Sequence, residues 1–199
     1  MKKAIFGGTF DPIHIGHINI AYEALYNLAL DKVIFMPNGN PPHKTNKIIT
    51  PANIRYEMVQ EAIKEEQSFE ISDYEMKNKD ISYTYKTLQH FNEFEKDTEW
   101  YFLTGVDSLM DLNKWKNVDI ILEKCNLVVF SRPGFSEEEI IKMKSNVEKT
   151  YDKKILYLNM SIIDVSSTGI KQKLRLGRQV KYLLPCGVQE IVDKYILYR

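Results

Sequence analysis

Short β-rich runs alternate with stretches of helical period along the whole chain, and that alternation restricts the fold more than any other feature. Residues 3–6, 32–36, 69–72, 100–104, 127–131 and 155–158 are apolar and rich in β-branched or aromatic side chains, the pattern of strands. Between the first two, Ile18, Ala21, Tyr22, Leu25 and Ala29 recur at helical spacing; Ile54, Met58, Ala62 and Ile63 do the same after Pro51 and Asn53. Further helices are expected over 84–91, 115–123, 136–149, 167–176 and 188–198. The 136–149 helix carries Glu137, Glu138 and Glu139 in its first turn, where the helix dipole favours negative charge, and Gly177 stops the 167–176 helix. Apolar strands separated by such helices predict an α/β fold, a mostly parallel sheet covered by helices on both faces. Ligands bind such sheets beyond the carboxyl ends of the strands. With no internal repeat or linker, a single domain over residues 1–199 is expected.

Charge excludes some partners. Lys plus Arg and Asp plus Glu number 27 each, so no net field draws the chain to nucleic acid or to an anionic membrane. Any anion site must be a local arrangement. Cys125 and Cys186 are too few and too far apart for a disulfide framework or a metal knuckle, which suits a reducing compartment. No apolar run approaches membrane-spanning length, and Lys2-Lys3 is followed by Gly7-Gly8 rather than by a signal-peptide core. A cytoplasmic protein without nucleic-acid or membrane partners is the expectation.

The segment Gly7-Gly8-Thr9-Phe10-Asp11-Pro12-Ile13-His14-Ile15-Gly16-His17 follows the first strand and opens the first helix. Gly7 and Gly8 let the backbone come close to a phosphate, and Gly16 keeps a Cβ away from the helix start. A helix N-terminus offers unpaired N–H groups and partial positive charge. His14 and His17, three apart, are placed to donate hydrogen bonds to phosphate oxygens and to stabilise developing charge. A Gly-Gly turn before a helix is common by itself, and two histidines could also be metal ligands, but no cysteine or acid stands at a suitable spacing.

This segment resembles the signature of the nucleotidyltransferase superfamily related to class I aminoacyl-tRNA synthetases, whose shared element is His/Thr-x-Gly-His. His14-Ile15-Gly16-His17 matches it, and Gly8-Thr9-Phe10-Asp11-Pro12 extends the match. The resemblance implies a Rossmann-like, doubly wound sheet and direct attack of an acceptor phosphate on the α-phosphorus of a nucleoside triphosphate, without a covalent enzyme intermediate. It also implies a second element, which here reads Val165-Ser166-Ser167-Thr168-Gly169-Ile170-Lys171. Ser166 or Ser167 would cap that helix, and the spare hydroxyls would hold the triphosphate. Lys171 stands where the family usually has Arg, keeping the charge but losing the bidentate fork; Lys173 and Arg175 could share its duty.

Four further segments resemble the bacterial nicotinate-mononucleotide adenylyltransferases. They are residues 37–44 with His43 and Lys44, residues 82–88 with Thr84, residues 102–108 continuing to Trp115, and residues 128–134 with Arg132. Lys86 departs from the Asp more usual in that family. The resemblance implies ATP and nicotinate mononucleotide as substrates, with Mg²⁺ carried on the ATP and no metal site of protein ligands. His14 and His17 would be catalytic. Gly7, Gly8, Thr9, Phe10, Gly16, Gly105, Asp107, Ser166, Ser167, Thr168 and Lys171 would bind ATP. His43, Lys44, Thr84, Trp115, Lys116 and Arg132 would bind the acceptor. Trp115 offers a stacking face and Asp107 an acceptor for ribose hydroxyls, although Trp115 as core and Asp107 as a helix cap are the plain alternatives. Pantetheine-phosphate adenylyltransferases and glycerol-phosphate cytidylyltransferases share the first motif but lack the 82–84 and 105–115 combination. A non-catalytic nucleotide sensor on this fold would be expected to lose a histidine or the serine cluster.

Overall fold

β1 (Lys2–Gly8) lies inside a six-stranded sheet in which every pairing is parallel. The computed structural model describes residues 1–39, 49–77, 82–131, 134–161 and 163–199. β2 (Lys32–Pro37) and β3 (Phe69–Ile71) extend the sheet on one side of β1. β4 (Glu99–Gly105), β5 (Asn126–Phe130) and β6 (Leu156–Leu158) extend it on the other, giving the order β3-β2-β1-β4-β5-β6. The order reverses between β1 and β4, and a doubly wound sheet opens its ligand crevice at that switch point. Phe6 pairs in register with Leu103, so Gly7-Gly8 and Thr104-Gly105 end side by side there.

Strand residues are apolar on both faces because both faces are covered. Ala4 and Phe6 point to one side, where α1 (Ile15–Asn27), α2 (Ala52–Ile63), α8 (Ser167–Arg175) and α9 (Val188–Lys194) contribute Ala21, Met58, Ile170 and Val192. Ile5 points to the other, where α4 (Thr84–Phe94), α5 (Val106–Met110), α6 (Val118–Lys124) and α7 (Glu137–Tyr151) contribute Leu88, Leu109, Ile121 and Ile140. Alternation along a strand sorts its side chains between these layers. Ser136 caps α7 in a capping box with Glu139.

Several boundaries differ from the sequence reading. The expected helix over 115–123 begins only at Val118, because Asn117 adopts a left-handed conformation (φ 55°) that helix interiors exclude. The closing helix ends at Lys194 rather than at 198. α3 (Tyr74–Lys77) and α5 are too short to leave a period in the sequence. Among the described residues no helix is long and apolar enough to cross a membrane.

Candidate active site

The loop after β1 is built around its histidines. His14 has extended backbone (φ −146°, ψ 168°) and is the N-cap of α1; its N–H donates to Nδ1 of His17 at 3.2 Å. An imidazole that accepts through Nδ1 carries its proton on Nε2, so this bond selects the tautomer and aims the ring. The two rings stack with centroids 3.7 Å apart and planes 26° apart, and Phe10 meets His17 edge-on at 5.0 Å. Gly16 is needed for a steric reason: a Cβ there would lie 2.8 Å from Val165 Cγ1 and 3.1 Å from His14 Nδ1.

The opposite wall is the start of α8. Ser166 is its N-cap, with Oγ accepting from the Gly169 N–H at 3.1 Å, while Ser167 Oγ donates to the carbonyl of Pro12 at 2.9 Å. That second bond ties the two motifs directly together. Between them lies a cavity of about 560 Å³. Gly7, Gly8, Thr9, Phe10, His14, Gly16, His17, Gly105, Asp107, Ser166, Ser167 and Thr168 all line it. The N-termini of α1 and α8 both open on this space, an arrangement suited to an anion. Phe10 is nonetheless 2% exposed and packs on Phe6 and Phe35, so its ring supports His17 more than it contacts solvent.

Lys171 departs from its expected place. It does not line the cavity; its ammonium forms an ion pair with Oδ2 of Asp11, beneath the loop. The reason is electrostatic: Asp11 is 4% exposed, and a buried carboxylate needs a counter-charge. Burial works to raise the Asp11 pKa, but hydrogen bonds from Lys171, Thr50 and Tyr198 outweigh it and hold the carboxyl below its ordinary range. Arg55, 1% exposed, completes the support with three carbonyls: Nε to Thr50 at 2.9 Å and the terminal nitrogens to Thr9 at 2.8 Å and Asn38 at 2.7 Å. It thus ties together the loops after β1 and β2 and the approach to α2.

A second cavity of about 430 Å³ lies on the other side of the switch point. Thr84, Trp115 and Lys116 line it, together with Tyr83, Phe102 and Glu75. Trp115 packs edge-on to Phe102 with centroids 6.1 Å apart, and Lys116 Nζ lies 5.0 Å over the Tyr83 ring. Burial pushes the Glu75 carboxyl up although the hydroxyls of Thr87 and Ser82 pull it down; Thr87 Oγ1 donates to it at 2.8 Å. Gly7, Gly8, Leu103, Thr104 and Ser108 belong to both cavities, so the two spaces meet over the glycines. His43, Lys44 and Arg132 lie outside the described residues.

Arg55, Tyr198 and Glu75 escaped the sequence reading. Arg55 had a usable signal. It precedes Met58, Val59 and Ile63 at core-facing helical spacing, and a charge in that phase must have buried partners. Tyr198 gave none, since its partner Asp11 is 187 residues away, and Glu75 gave none, since its four-residue helix leaves no period in the sequence.

The family model described as Cytidylyltransferase-like matches residues 5–173. A Clostridium novyi (strain NT) protein named "Probable nicotinate-nucleotide adenylyltransferase" is 57% identical over 198 residues, covering 100% of this chain and 99% of its own length. A Clostridium tetani (strain Massachusetts / E88) protein of the same name is 54% identical over 198 residues with the same coverage. In three dimensions the chain resembles Plasmodium falciparum nicotinic acid mononucleotide adenylyltransferase complexed with NaAD, with a TM-score of 0.79 and 20% identity over 99% of this chain and 97% of that one. At that identity the likeness speaks for the fold, a Rossmann-like parallel sheet between helices.

Proposed function

The chain belongs to the cytidylyltransferase-like family and, within it, to the nicotinate-nucleotide adenylyltransferases, and from that premise we infer that it transfers the adenylyl group of ATP to nicotinate mononucleotide. The products are nicotinate adenine dinucleotide and pyrophosphate, a step of NAD biosynthesis. One observation carries the assignment of substrates to places. Two cavities of opposite character meet over Gly7-Gly8, one walled by imidazoles, hydroxyls and helix N-termini, the other by aromatic rings.

ATP is assigned to the first cavity. Its phosphates would take hydrogen bonds from His14, His17, Ser167, Thr168 and the first-turn N–H groups of α1 and α8. Asp107 would accept from its ribose. The nicotinate ring is assigned to the second cavity, against Trp115, with its carboxylate on backbone N–H groups at Thr84 and Trp115-Lys116. His43, Lys44 and Arg132 stay as proposed contacts on the strength of the family resemblance. An oxygen of the mononucleotide phosphate attacks the α-phosphorus in line. A new P–O bond forms as the bond to the β-phosphate oxygen breaks, and pyrophosphate leaves with the electron pair. The protein contributes alignment and charge stabilisation rather than covalent chemistry. His17 is assigned the charge that develops in the transition state, because its Nδ1 accepts from the His14 N–H and Nε2 therefore carries the proton.

Among the described residues no group of three or more His, Cys, Asp or Glu is placed to hold a metal ion. The carboxylates of Asp107 and Asp164 do stand on the wall of the first cavity. That donor set fits Mg²⁺ held chiefly by the triphosphate, where a hard cation keeps most of its waters and neutralises phosphate charge.

The test is pyrophosphate release from ATP with nicotinate or nicotinamide mononucleotide as acceptor. A carboxamide would set an NH₂ against an N–H donor, and an unpaired buried donor costs about 1–3 kcal/mol. The acid should therefore win by about tenfold or more in kcat/KM. Equal efficiency would remove the carboxylate site; no pyrophosphate with either acceptor would remove the assignment.

A further inference from the structure

The end of the chain reaches back to the catalytic loop. After α9 the backbone turns twice through left-handed conformations, at Ile196 (φ 50°) and Tyr198 (φ 65°). Neither residue is glycine and Ile196 is β-branched, so each such turn is strained and persists only where the surroundings impose it. Three contacts impose it here. Arg199 pairs with Asp193 at 2.5 Å, Leu197 packs against the core, and the Tyr198 hydroxyl donates to Asp11 Oδ1 at 2.6 Å. Lys171 takes the other oxygen of the same carboxylate, and its ammonium sits 4.9 Å over the Tyr198 ring. Asp11 is three residues before His14 and six before His17, in the loop whose next carbonyl, Pro12, holds Ser167 of α8.

We propose that Tyr198 is a positioning residue for adenylyl transfer: from the C-terminus it fixes the Asp11 carboxylate, and through it the loop that aims His14 and His17. Lys171 neutralises that carboxylate; Tyr198 sets its direction, since a phenol at 2.6 Å is a single directional donor while an ammonium can turn about its stem. The proposal rests on the adenylyl-transfer reading for its rate measurement, but its loop measurement does not.

Tyr198→Phe removes the hydroxyl and keeps the ring beneath Lys171. The expected result is a fall in kcat of about tenfold, because small misplacements of reacting groups carry penalties of this size. The KM for nicotinate mononucleotide should not change, since Tyr198 does not line the second cavity. In an Asp11→Ala background, which removes the acceptor of the Tyr198 hydroxyl, the same substitution should have no further effect on kcat, as two changes in one chain of action do not add. Incorporation of 4-aminophenylalanine at position 198 restores a donor and should recover part of the rate. Independently, the His17 imidazole resonances of the free protein should shift in Tyr198→Phe while those of His90 stay. A kcat within about twofold of wild type overturns the proposal, as does an equal loss in both backgrounds or an unmoved His17 signal. If wild type itself releases no pyrophosphate, the substrate assignment fails and the His17 resonances still decide the role of Tyr198. If Tyr198→Phe does not fold, the 4-aminophenylalanine protein decides: kcat near wild type supports a donor role, and a loss as large as that of Asp11→Ala overturns it.

Discussion

One added methyl group at Gly16 tests whether the spacing around the paired imidazoles sets the rate. A Cβ there would stand 2.8 Å from Val165 Cγ1 and 3.1 and 3.2 Å from Nδ1 and Cε1 of His14. Carbon atoms pack best at about 3.5–4.0 Å, so roughly 0.7 Å must be found at Val165. Val165 is β-branched and stiff at χ1, and it directly precedes the Ser166 cap of α8, so moving it disturbs the start of that helix. His14 has little retreat, with its ring already stacked at 3.7 Å on His17. The start of α1 must therefore shift. Overpacking of this kind costs about 1–3 kcal/mol, equivalent to roughly 2–4 °C in Tm per kcal/mol for a chain of this size. A displacement approaching 1 Å at reacting groups costs up to about a hundredfold in rate, so Gly16→Ala should lose about ten- to a hundredfold in kcat. The acceptor's KM should hold, because Gly16 does not line the second cavity. Gly7→Ala is the contrast: its nearest neighbour would be Phe102 Cζ at an ordinary 3.6 Å, so the fold should tolerate it and only bound phosphate should sense it. Steady-state pyrophosphate release and thermal melts read both variants. Gly16→Ala with wild-type kcat and Tm would refute the reasoning, because it would require room at Val165 and His14 that the structure does not have.

His17→Asn keeps a side-chain oxygen able to accept from the His14 N–H, so its Tm should stay near wild type while kcat falls by about 10²–10³. His17→Ala should show the same rate loss plus about 0.5–2 kcal/mol of lost capping; near-normal turnover in the Asn variant would remove His17 from its assigned role. The folded-state pKa of Asp11 is lowered, so its contribution to stability is present above the unfolded value of about 3.9 and is lost as pH falls through the lower folded value. Melting midpoints followed into acid should therefore drop less steeply for Asp11→Asn than for wild type, and equally steep acid limbs would contradict the Asp11 network. Trp115→Ala should raise KM for both mononucleotides by similar factors and spare KM for ATP; loss confined to the nicotinate substrate would show that Trp115 does more than stack.

Most of the fold was legible because a parallel sheet buried on both faces writes its strands as apolar runs. All six expected strands exist, each within two residues of its expected ends. Misreadings fall where local conformation overrides period. Asn117 takes a left-handed turn, which delays α6 past Trp115 and Lys116 and leaves both facing the second cavity. At the other end, Ile196 and Leu197 continue the apolar pattern of α9, yet Leu197 reaches the core from a turn. The site divides in the same way. Residues that act through their own backbone or a near neighbour, such as the His14–His17 pair and the Ser166 cap, can be read from a short motif. Lys171 could not, because its partner is Asp11, 160 residues away in sequence.

That distant pairing bears on how a chain with no net charge can receive a triphosphate. No Lys or Arg among the described residues lines the first cavity; its charged side chains there are Asp107 and Asp164. The cation that the motif supplies, Lys171, neutralises Asp11 instead, and the buried Arg55 donates to the carbonyls of Thr50, Thr9 and Asn38. On the adenylyl-transfer reading, attraction for phosphate at this wall is assigned to aligned N–H groups at the starts of α1 and α8, with imidazole and hydroxyl donors between them. Such donors work only where they are aimed, because a partial charge on an N–H falls off within a turn of helix. Lysine at position 171 is then engaged by Asp11 rather than aimed at phosphate. A point charge is what a buried carboxylate requires, and a bidentate fork would have to share Asp11 with the Tyr198 hydroxyl. On this proposal the ion pair beneath the loop holds the geometry, and the dipoles above it are left to meet the ligand.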